Sequence, residues 1–480
     1  MIPSPEQPAD PSASTPPHAS LRLVRSGDEA VGVSEVLGAL SFALDLTEGQ
    51  PFGHALRTCL IGSRLGERIG LPLQERRDLY YALLLKDVGC SSNAARVYEL
   101  FGGDDRVAKR DLKRVDWSRY FRAAGYAIAH AAPGSSWIDR ARRVATLAGA
   151  GSRAAQELVE ARCQRGAAIC RDLGFGPSVA NAVASLDEHW NGHGHPRGIK
   201  GGQIPIHARI MGLAQTLEVF SVIDGPEGAI AIAQTRRGTW FDPTLVEACK
   251  DLEVDLALWC GLDDWRLQEE VKRVEPGDAV LLVGPGALDR IASAFAAVVD
   301  AKSPFTADHS RRVTEFVVRI ADLLGLPVDE IIELRRAALL HDLGKLSVPN
   351  SVLDKPGALT AQEWEVVRLH PYYTQRILDR VRGFQSLAFV ASSHHERLDG
   401  RGYFRGLRGD DVPQGARILA VADIYEALTS ERPYRHALAP EEALATMERD
   451  RGTGLEDDCF DALIQVVQSG EDRATEAGAA

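Results

Sequence analysis

The sequence of 480 residues contains no Cys-x-x-Cys pair, no block of lysine and arginine, and little period-two alternation of apolar residues. It also lacks an apolar run of about 18 residues, so no transmembrane helix is expected. Each absence removes a class. Seven cysteines, at 59, 90, 163, 170, 249, 260 and 459, are odd in number and unpatterned. They read as reduced cytoplasmic thiols and not as a disulfide framework. Cys163 and Cys170 read as half-buried core thiols. A net charge of −12 without a basic stretch excludes the footprint of a duplex nucleic-acid binder. Small anionic ligands stay open, because a few local cations or metals override global charge. The first twenty residues are rich in Pro, Ser and Ala and lack a basic start followed by an apolar core, so they read as a flexible tail and not a signal peptide.

What is present is ordinary for a globular protein: 45% apolar and 25% charged residues. The length suits about two or three domains. Apolar spacing is helical over most of the chain. Val33 to Leu46 and Ala55 to Ile69 read as amphipathic helices, Gly70-Leu71-Pro72 stops the second, and Leu73 to Leu85 begins a third. The best strand-like piece, Asp278 to Gly284, is short. The expected class is all-α.

Comparing the two halves reveals an internal repeat. Phe52-Gly53-His54 parallels Ala307-Asp308-His309, and Ala82 to Gly89 parallels Ala337 to Gly344, both at a shift of 255. Further on the shift is 208: Glu188 to Gly198 matches Glu396 to Gly406, and Ile204 to Ile210 matches Val412 to Ile418. The change means 47 additional residues in the first half, at about 102–151. The expected organisation is a flexible tail over 1–32, a first helical domain over 33–254, a linker over 255–287, a second domain over 288–469 and a loose tail over 470–480. The insert reads as a peripheral helical hairpin. The aromatics in or near it, Tyr80, Tyr81, Tyr98, Trp117, Tyr120 and Phe121, offer a regulator site as the competing reading.

The second half holds six histidines, and five sit in motif contexts: His309, His341, His370, His394 and His395. Asp342 and Asp423 join them. His341-Asp342 ends the apolar run Ala337 to Leu340, and polar groups at the end of a buried helix need partners. One structural histidine is commonplace; five with two aspartates point to a metal. Imidazole and carboxylate without thiolate suit Fe, Mn, Zn or Ni. Seven ligands exceed the four of a tetrahedral zinc site, which favours two divalent metals with Asp342 bridging. Two such metals can clamp both oxygens of a phosphoryl displacement. Lys345 could hold a phosphate oxygen or protonate a leaving group.

The ordered series from His341-Asp342-x-Gly344-Lys345 through His394-His395-Glu396-x-x-Asp399-Gly400-x-Gly402-Tyr403 to Val421-Ala422-Asp423 and Arg432-Pro433-Tyr434-Arg435 resembles the HD-GYP domain. That is a branch of the HD phosphohydrolase superfamily. The resemblance implies an all-helical HD fold, a metal centre of iron or manganese (with Ni, Zn or Mg as alternatives), and cleavage of cyclic di-GMP to pGpG or GMP. It implies one metal on His309, His341, Asp342 and Asp423, and the other on Asp342, His370, His394 and His395. Members with a third metal carry Glu where this chain has Phe305, so two are expected. Arg417, Arg432 and Arg435 are candidate substrate contacts, the competing reading being surface ion pairs. Glu396 and Asp399 are candidate acceptors that orient the ligand histidines, and Asp399 is equally suited to capping the Gly400 turn. Phe404 replaces the family proline.

At the matching positions the first half keeps His54 and Asp87 but has Lys86, Arg162, Leu186, Asp187 and Gln215 in place of the other ligands, and Cys90 in place of Lys345. It reads as a degenerate HD-GYP copy. His189, His193 and His195 cluster there without anything to complete a metal site. The expected function is a cytoplasmic cyclic-di-GMP phosphodiesterase. The alternatives are a cyclic-di-GMP-binding interaction module with little turnover, and hydrolysis of another cyclic nucleotide or dinucleotide. The expected partners are the cyclic dinucleotide, a GGDEF-type or other signalling protein, and a second copy of the chain.

Overall fold

The computed structural model describes residues 22–24, 31–113, 130, 137–277, 280–282 and 284–478. In the first half it gives β1 (Arg22–Val24), α1 (Val33–Thr47), α2 (His54–Arg68), α3 (Leu73–Leu85), α4 (Ala94–Phe101), α5 (Asp105–Leu112), α6 (Trp137–Asp172), α7 (Pro177–Ala184), α8 (Ile206–Thr235) and α9 (Pro243–Ala248). Helices α10 (Glu253–Cys260) and α11 (Asp264–Arg273) and strand β2 (Val280–Leu282) follow. The second half comprises α12 (Pro285–Asp300), α13 (His309–Leu323), α14 (Val328–Leu340), α15 (Asn350–Leu353), α16 (Ala361–Arg368), α17 (His370–Leu378), α18 (Gln385–Ala391), α19 (Gln414–Thr429), α20 (Pro440–Met447) and α21 (Asp457–Gly478).

The fold is helical, as expected, with one antiparallel two-stranded ribbon, β1 on β2. The helices carry their own stop and start signals. Gly70 takes φ +71° after α2, a conformation a side chain would resist. Asp104 caps α5 by accepting the Arg106 N–H, and Asp263 caps α11 by accepting the Arg266 N–H, both at 2.9 Å. Thr360 and Glu363 form a reciprocal capping box on α16.

Four boundaries differ from the sequence expectation. Residues 22–24 of the expected tail pair with β2. The expected linker holds α10 and α11, which pack on α1, α2 and α8; their apolar faces, Leu256, Trp259, Leu267 and Val271, belong to the main core. Helix α21 runs to Gly478, into the expected loose tail. The start of the insert is not peripheral: Asp105 is fully buried and its carboxylate contacts the second half. Of the aromatics in or near the insert, Tyr80 and Tyr81 on α3 are buried, their hydroxyls donating to Val271 O and Glu275. Trp117, Tyr120 and Phe121 lie outside the described residues.

The apolar cores do not respect the repeat. One runs through α1, α2, α3 and α8 and continues into α12, Leu340, Leu343, Leu346, α17 and α18. The other is local to α13, α14, α19, α20 and α21. The junction between halves is also polar and aromatic. Arg380 stacks 3.7 Å over the Phe42 ring, Arg376 stacks 4.7 Å over Phe52, and Asp264 pairs with both arginines. Glu35 on α1 accepts from Arg382.

Candidate metal centre

The centre is built from helix ends. His309 opens α13, His341 follows α14, His370 opens α17, and His394 lies three residues beyond α18. The last carbonyls of a helix have no helical donor, and three of them are used here. The Nδ1–H groups of His341, His370 and His394 donate to the carbonyls of Ala338, Val367 and Ala391, each at 2.7 Å. A carbonyl only accepts, so Nδ1 carries a proton in each, and in the neutral ring Nε2 is left bare. His309 Nδ1 is held by Glu426 instead.

The Nε2 atoms converge on two carboxylates. His309 Nε2 is 3.3 Å from both Asp342 Oδ2 and Asp423 Oδ1. His341 Nε2 is 3.3 Å from Asp342 Oδ2 and 3.8 Å from Asp423 Oδ1. On the other side of the same carboxylate, His370 and His394 Nε2 lie 3.5 and 3.8 Å from Asp342 Oδ1. Asp342 therefore presents one oxygen to each histidine pair, the disposition a bridging ligand requires. His395 stands beside His370 and His394 within ligating distance of a common ion. Its ring packs 4.6 Å from Tyr403, and it is half-buried where the other histidines are sealed.

His309 Nε2, His341 Nε2 and Asp342 Oδ1 are buried without a hydrogen-bond partner. Each such orphan costs about 1–3 kcal/mol, so this set of nitrogen and oxygen donors fits divalent cations. Glycine makes the approach feasible. A Cβ on Gly344 would sit 1.9 Å from His370 O, and one on Gly89, its repeat partner, 2.1 Å from Arg162 O.

Protonation follows the same geometry. Burial depresses His370, His394 and His395, assisted by neighbouring imidazoles, and His395 falls to about 4. Burial also opposes the charged form of His309 and His341, but the adjacent carboxylates overcome it, taking His341 up to about 9 and His309 well above its usual value. The metal-free centre thus holds protons on the pair that faces Asp342 and Asp423. Burial would raise those aspartates, yet the facing cations hold both well below the usual carboxylate range.

The first half keeps the scaffold and fills it with an ammonium. Lys86 Nζ touches His54 Nε2, Asp87 and Gln215 Oε1, the counterparts of His309, Asp342 and Asp423. Arg162 and Asp187, at the positions of His370 and His395, pair with each other, and Leu186 replaces His394 in the core. Glu48, Asp87 and Cys90 also cluster, with Lys86 and Lys113 as the counter-charges. His189 stacks on Trp240 at 4.1 Å. Among the described residues, neither it nor His193 or His195 joins a metal-capable group.

Other expected site residues divide. Lys345 Nζ lies 2.5 Å from Asp342 Oδ2 and is partly open to solvent. Arg432 reaches Glu426 Oε2 at 3.3 Å, beside His309. Arg435 instead donates to the Ala427 and Leu428 carbonyls that end α19, and Arg417 is committed to Glu456 and the Val412 and Gly409 carbonyls. Neither of those two forks is turned to the centre. Glu396 accepts the Arg405 and Leu407 N–H groups at 2.7 and 2.9 Å, and Asp399 accepts Arg401 N–H at 2.9 Å. Both hold the glycine turn, and among the described residues neither is bonded to a histidine. Glu188 repeats the Glu396 clamp in the first half. Phe404 packs under the Arg405 guanidinium and against Tyr372.

Sequence reasoning missed Glu426, Arg312 and Asp300. Arg312 donates to Glu426 at 2.7 Å, and Asp300 accepts the Ser310 N–H and hydroxyl at the start of α13. The repeat carried the signal: Glu218, Arg57 and Asp45 occupy the matching positions with equivalent bonds.

The HD domain family profile matches residues 144–245 and 294–458, one segment in each half. The chain belongs to the HD domain family, and within it to the HD-GYP type. It is 43% identical over 444 residues to 3′3′-cGAMP-specific phosphodiesterase 3 of Vibrio cholerae, covering 92% of this chain and 96% of that protein. A crystal structure of a cyclic GMP-AMP-specific phosphodiesterase from V. cholerae matches with a TM-score of 0.64 and 38% identity, over 92% of this chain and 98% of that one. A cyclic di-GMP phosphodiesterase response regulator of Xanthomonas campestris is 39% identical over 175 residues, 36% of this chain and 46% of that protein. Phosphodiesterase activity on a cyclic dinucleotide is the shared character of these relatives.

Proposed function

We propose that this protein is a metal-dependent phosphodiesterase that opens a 3′3′-linked cyclic dinucleotide, with the guanine–adenine hybrid as its preferred substrate. One observation carries the choice over cyclic di-GMP. The relative specific for 3′3′-cGAMP matches through both halves, over 96% of its length, whereas the X. campestris cyclic di-GMP enzyme matches over 46% of its own. Cyclic di-GMP remains the second reading, supported by that second match.

In this reading His309, His341, Asp342 and Asp423 hold one divalent metal, and Asp342, His370, His394 and His395 the other, iron or manganese being favoured by the donor set. Bound there, the pair supplies Lewis acidity to the phosphoryl oxygens. The chain's own residues do the rest. Burial keeps His370, His394 and His395 neutral and ready to ligate. The carbonyls of Ala338, Val367 and Ala391 fix the histidine tautomers. Lys345 stays protonated beside Asp342 and, with Arg432, holds the phosphate on the open side of the centre. Water adds to phosphorus and releases a proton to solvent, the P–O3′ bond breaks, and Lys345 protonates the departing O3′ and is then reprotonated from solvent. The scattered cysteines, six of the seven buried, support a reducing cytoplasmic setting.

The test is a substrate panel of 3′3′-cGAMP, cyclic di-GMP and cyclic di-AMP with anaerobically prepared, Mn- or Fe-loaded protein, and Asp342→Ala as the control. Linear dinucleotide from 3′3′-cGAMP at the highest kcat/KM is expected. Faster cleavage of cyclic di-GMP would select the second reading, and binding without any cleavage would reduce the protein to an interaction module.

A further inference from the structure

The 47 residues that the first half has and the second lacks begin at a contact with the turn that carries Lys345. That turn, Leu343–Ser347, is held from one side by the second half: Gly344 N–H donates to Thr374 Oγ1 at 2.9 Å, and the Ser347 hydroxyl donates to Gly344 O at 2.8 Å. Its last carbonyls face the other way. Lys302 Nζ donates to Leu346 O at 3.3 Å, and the Arg106 guanidinium donates to Ser347 O. Just beyond the turn, the Asn350 N–H donates to Asp105 Oδ1 at 2.8 Å, and Asp105 Oδ2 lies 3.7 Å from Lys302 Nζ. Asp105, Lys302 and Asn350 are at most 2% exposed. Arg106 is itself held by Asp104, the cap of α5.

Burying a carboxylate and an ammonium costs several kcal/mol per ion before their attraction repays it, so such a junction is a poor way to gain stability alone. It does fix geometry. Leu343 and Leu346 lie in the core shared with α1, so the turn meets the first half through both its apolar and its polar face. The second half alone would leave Lys302 facing water, the Leu343 and Leu346 surface uncovered, and Asn350 N–H and Ser347 O without these partners.

We propose that the degenerate half is a fixed brace for catalysis and that Asp105 is a positioning residue for Lys345, acting through the Asn350 N–H and Lys302. This rests on the assignment of Lys345 to phosphate binding and proton donation. A catalytic group displaced by about 1 Å can lose up to about 100-fold in rate.

The experiment uses the full-length metal-loaded protein. Asp105→Ala is expected to lower kcat about tenfold or more, with KM within about twofold and metal content unchanged. Asp105→Asn keeps an oxygen that accepts the Asn350 N–H and is expected to restore most of the rate. In a Lys345→Ala background, Asp105→Ala is expected to cost less than about twofold, since its route of action is already gone. The same loss in both backgrounds, or a full rate with Asp105→Ala, overturns the proposal. Should Asp105→Ala fail to fold, Arg106→Ala takes its place with the same comparison. Hydrogen exchange over 343–350 keeps the two readings apart, because it needs no substrate. Faster exchange there in Asp105→Ala supports the brace even if no cyclic dinucleotide is cleaved. Unchanged exchange sinks it even if the wild type is an active phosphodiesterase.

Discussion

Lys86 Nζ lies 3.0 Å from His54 Nε2, at the place where the second half leaves His309 Nε2 facing two carboxylates. The two histidines share a scaffold. Each donates Nδ1–H to a buried glutamate, Glu218 or Glu426, and each glutamate is held by an arginine, Arg57 or Arg312. Their protonation nonetheless diverges. Burial, with Lys86 and Lys113 adding to it, lowers His54 to about 4 despite Glu218, whereas the carboxylates around His309 raise it. In the first half a covalent cation stands in exchange for the metal ion proposed for the second.

Lys86→Met tests that exchange. Methionine keeps all but the last atom of the chain and removes the charge, leaving Asp87 and the His54 lone pair buried without their ammonium. Lys113, 3.9 Å from Asp87, covers part of the loss. The expected cost is about 2–4 kcal/mol, read as a shift in the denaturant midpoint. A midpoint within error of wild type would show that the ammonium is no structural substitute.

Glu426→Ala tests the carboxylate that orients His309. The imidazole would lose the acceptor that fixes its tautomer, and Arg312 would lose its partner. Metal affinity is expected to fall about 10–100-fold, measured by competition with a chelator. The corresponding Glu218→Ala is expected to leave metal content unchanged while destabilising the first half.

Much of this was legible in the sequence because ligation demands particular side chains. His341-Asp342, His394-His395 and Asp423 advertise themselves by type and context. Glu426 does not, since a glutamate inside a helix is ordinary until its histidine is located in space. Arg417 and Arg435 show the same ambiguity: a guanidinium reads identically in sequence whether its fork meets a phosphate or, as here, a carboxylate and the carbonyls at helix ends. The insert misled most. Helical spacing cannot say which surface a helix covers, so the burial of Asp105 against Asn350 had no signature in one dimension.

Gly344→Ala and Gly89→Ala form a matched pair. Both would drive a methyl group into a backbone carbonyl, that of His370 or Arg162. Overpacking of this kind costs about 1–3 kcal/mol, occasionally more. Only Gly344 abuts a proposed ligand, His370, so Gly344→Ala is expected to lose metal as well as stability, and Gly89→Ala to lose stability alone. Elemental analysis beside thermal unfolding separates them. Equal metal loss in both would mean that the halves unfold as one unit.

The His54 pair also sets a pH dependence. With a folded value of about 4 against an ordinary 6.5, His54 binds its proton more readily in the unfolded chain. Stability is therefore lost as pH falls from about 6.5 to about 4, with a slope of up to about 1.4 kcal/mol per pH unit. Below that window both states are protonated and this contribution stops changing. His54→Gln removes the titration while leaving an acceptor for Lys86. Urea midpoints for the variant are expected to fall less steeply than those of wild type between pH 6.5 and 4, with no difference in slope above pH 7. Parallel curves throughout that window would show that His54 does not stay neutral in the folded protein, and with it that Lys86 is not donating to a bare Nε2.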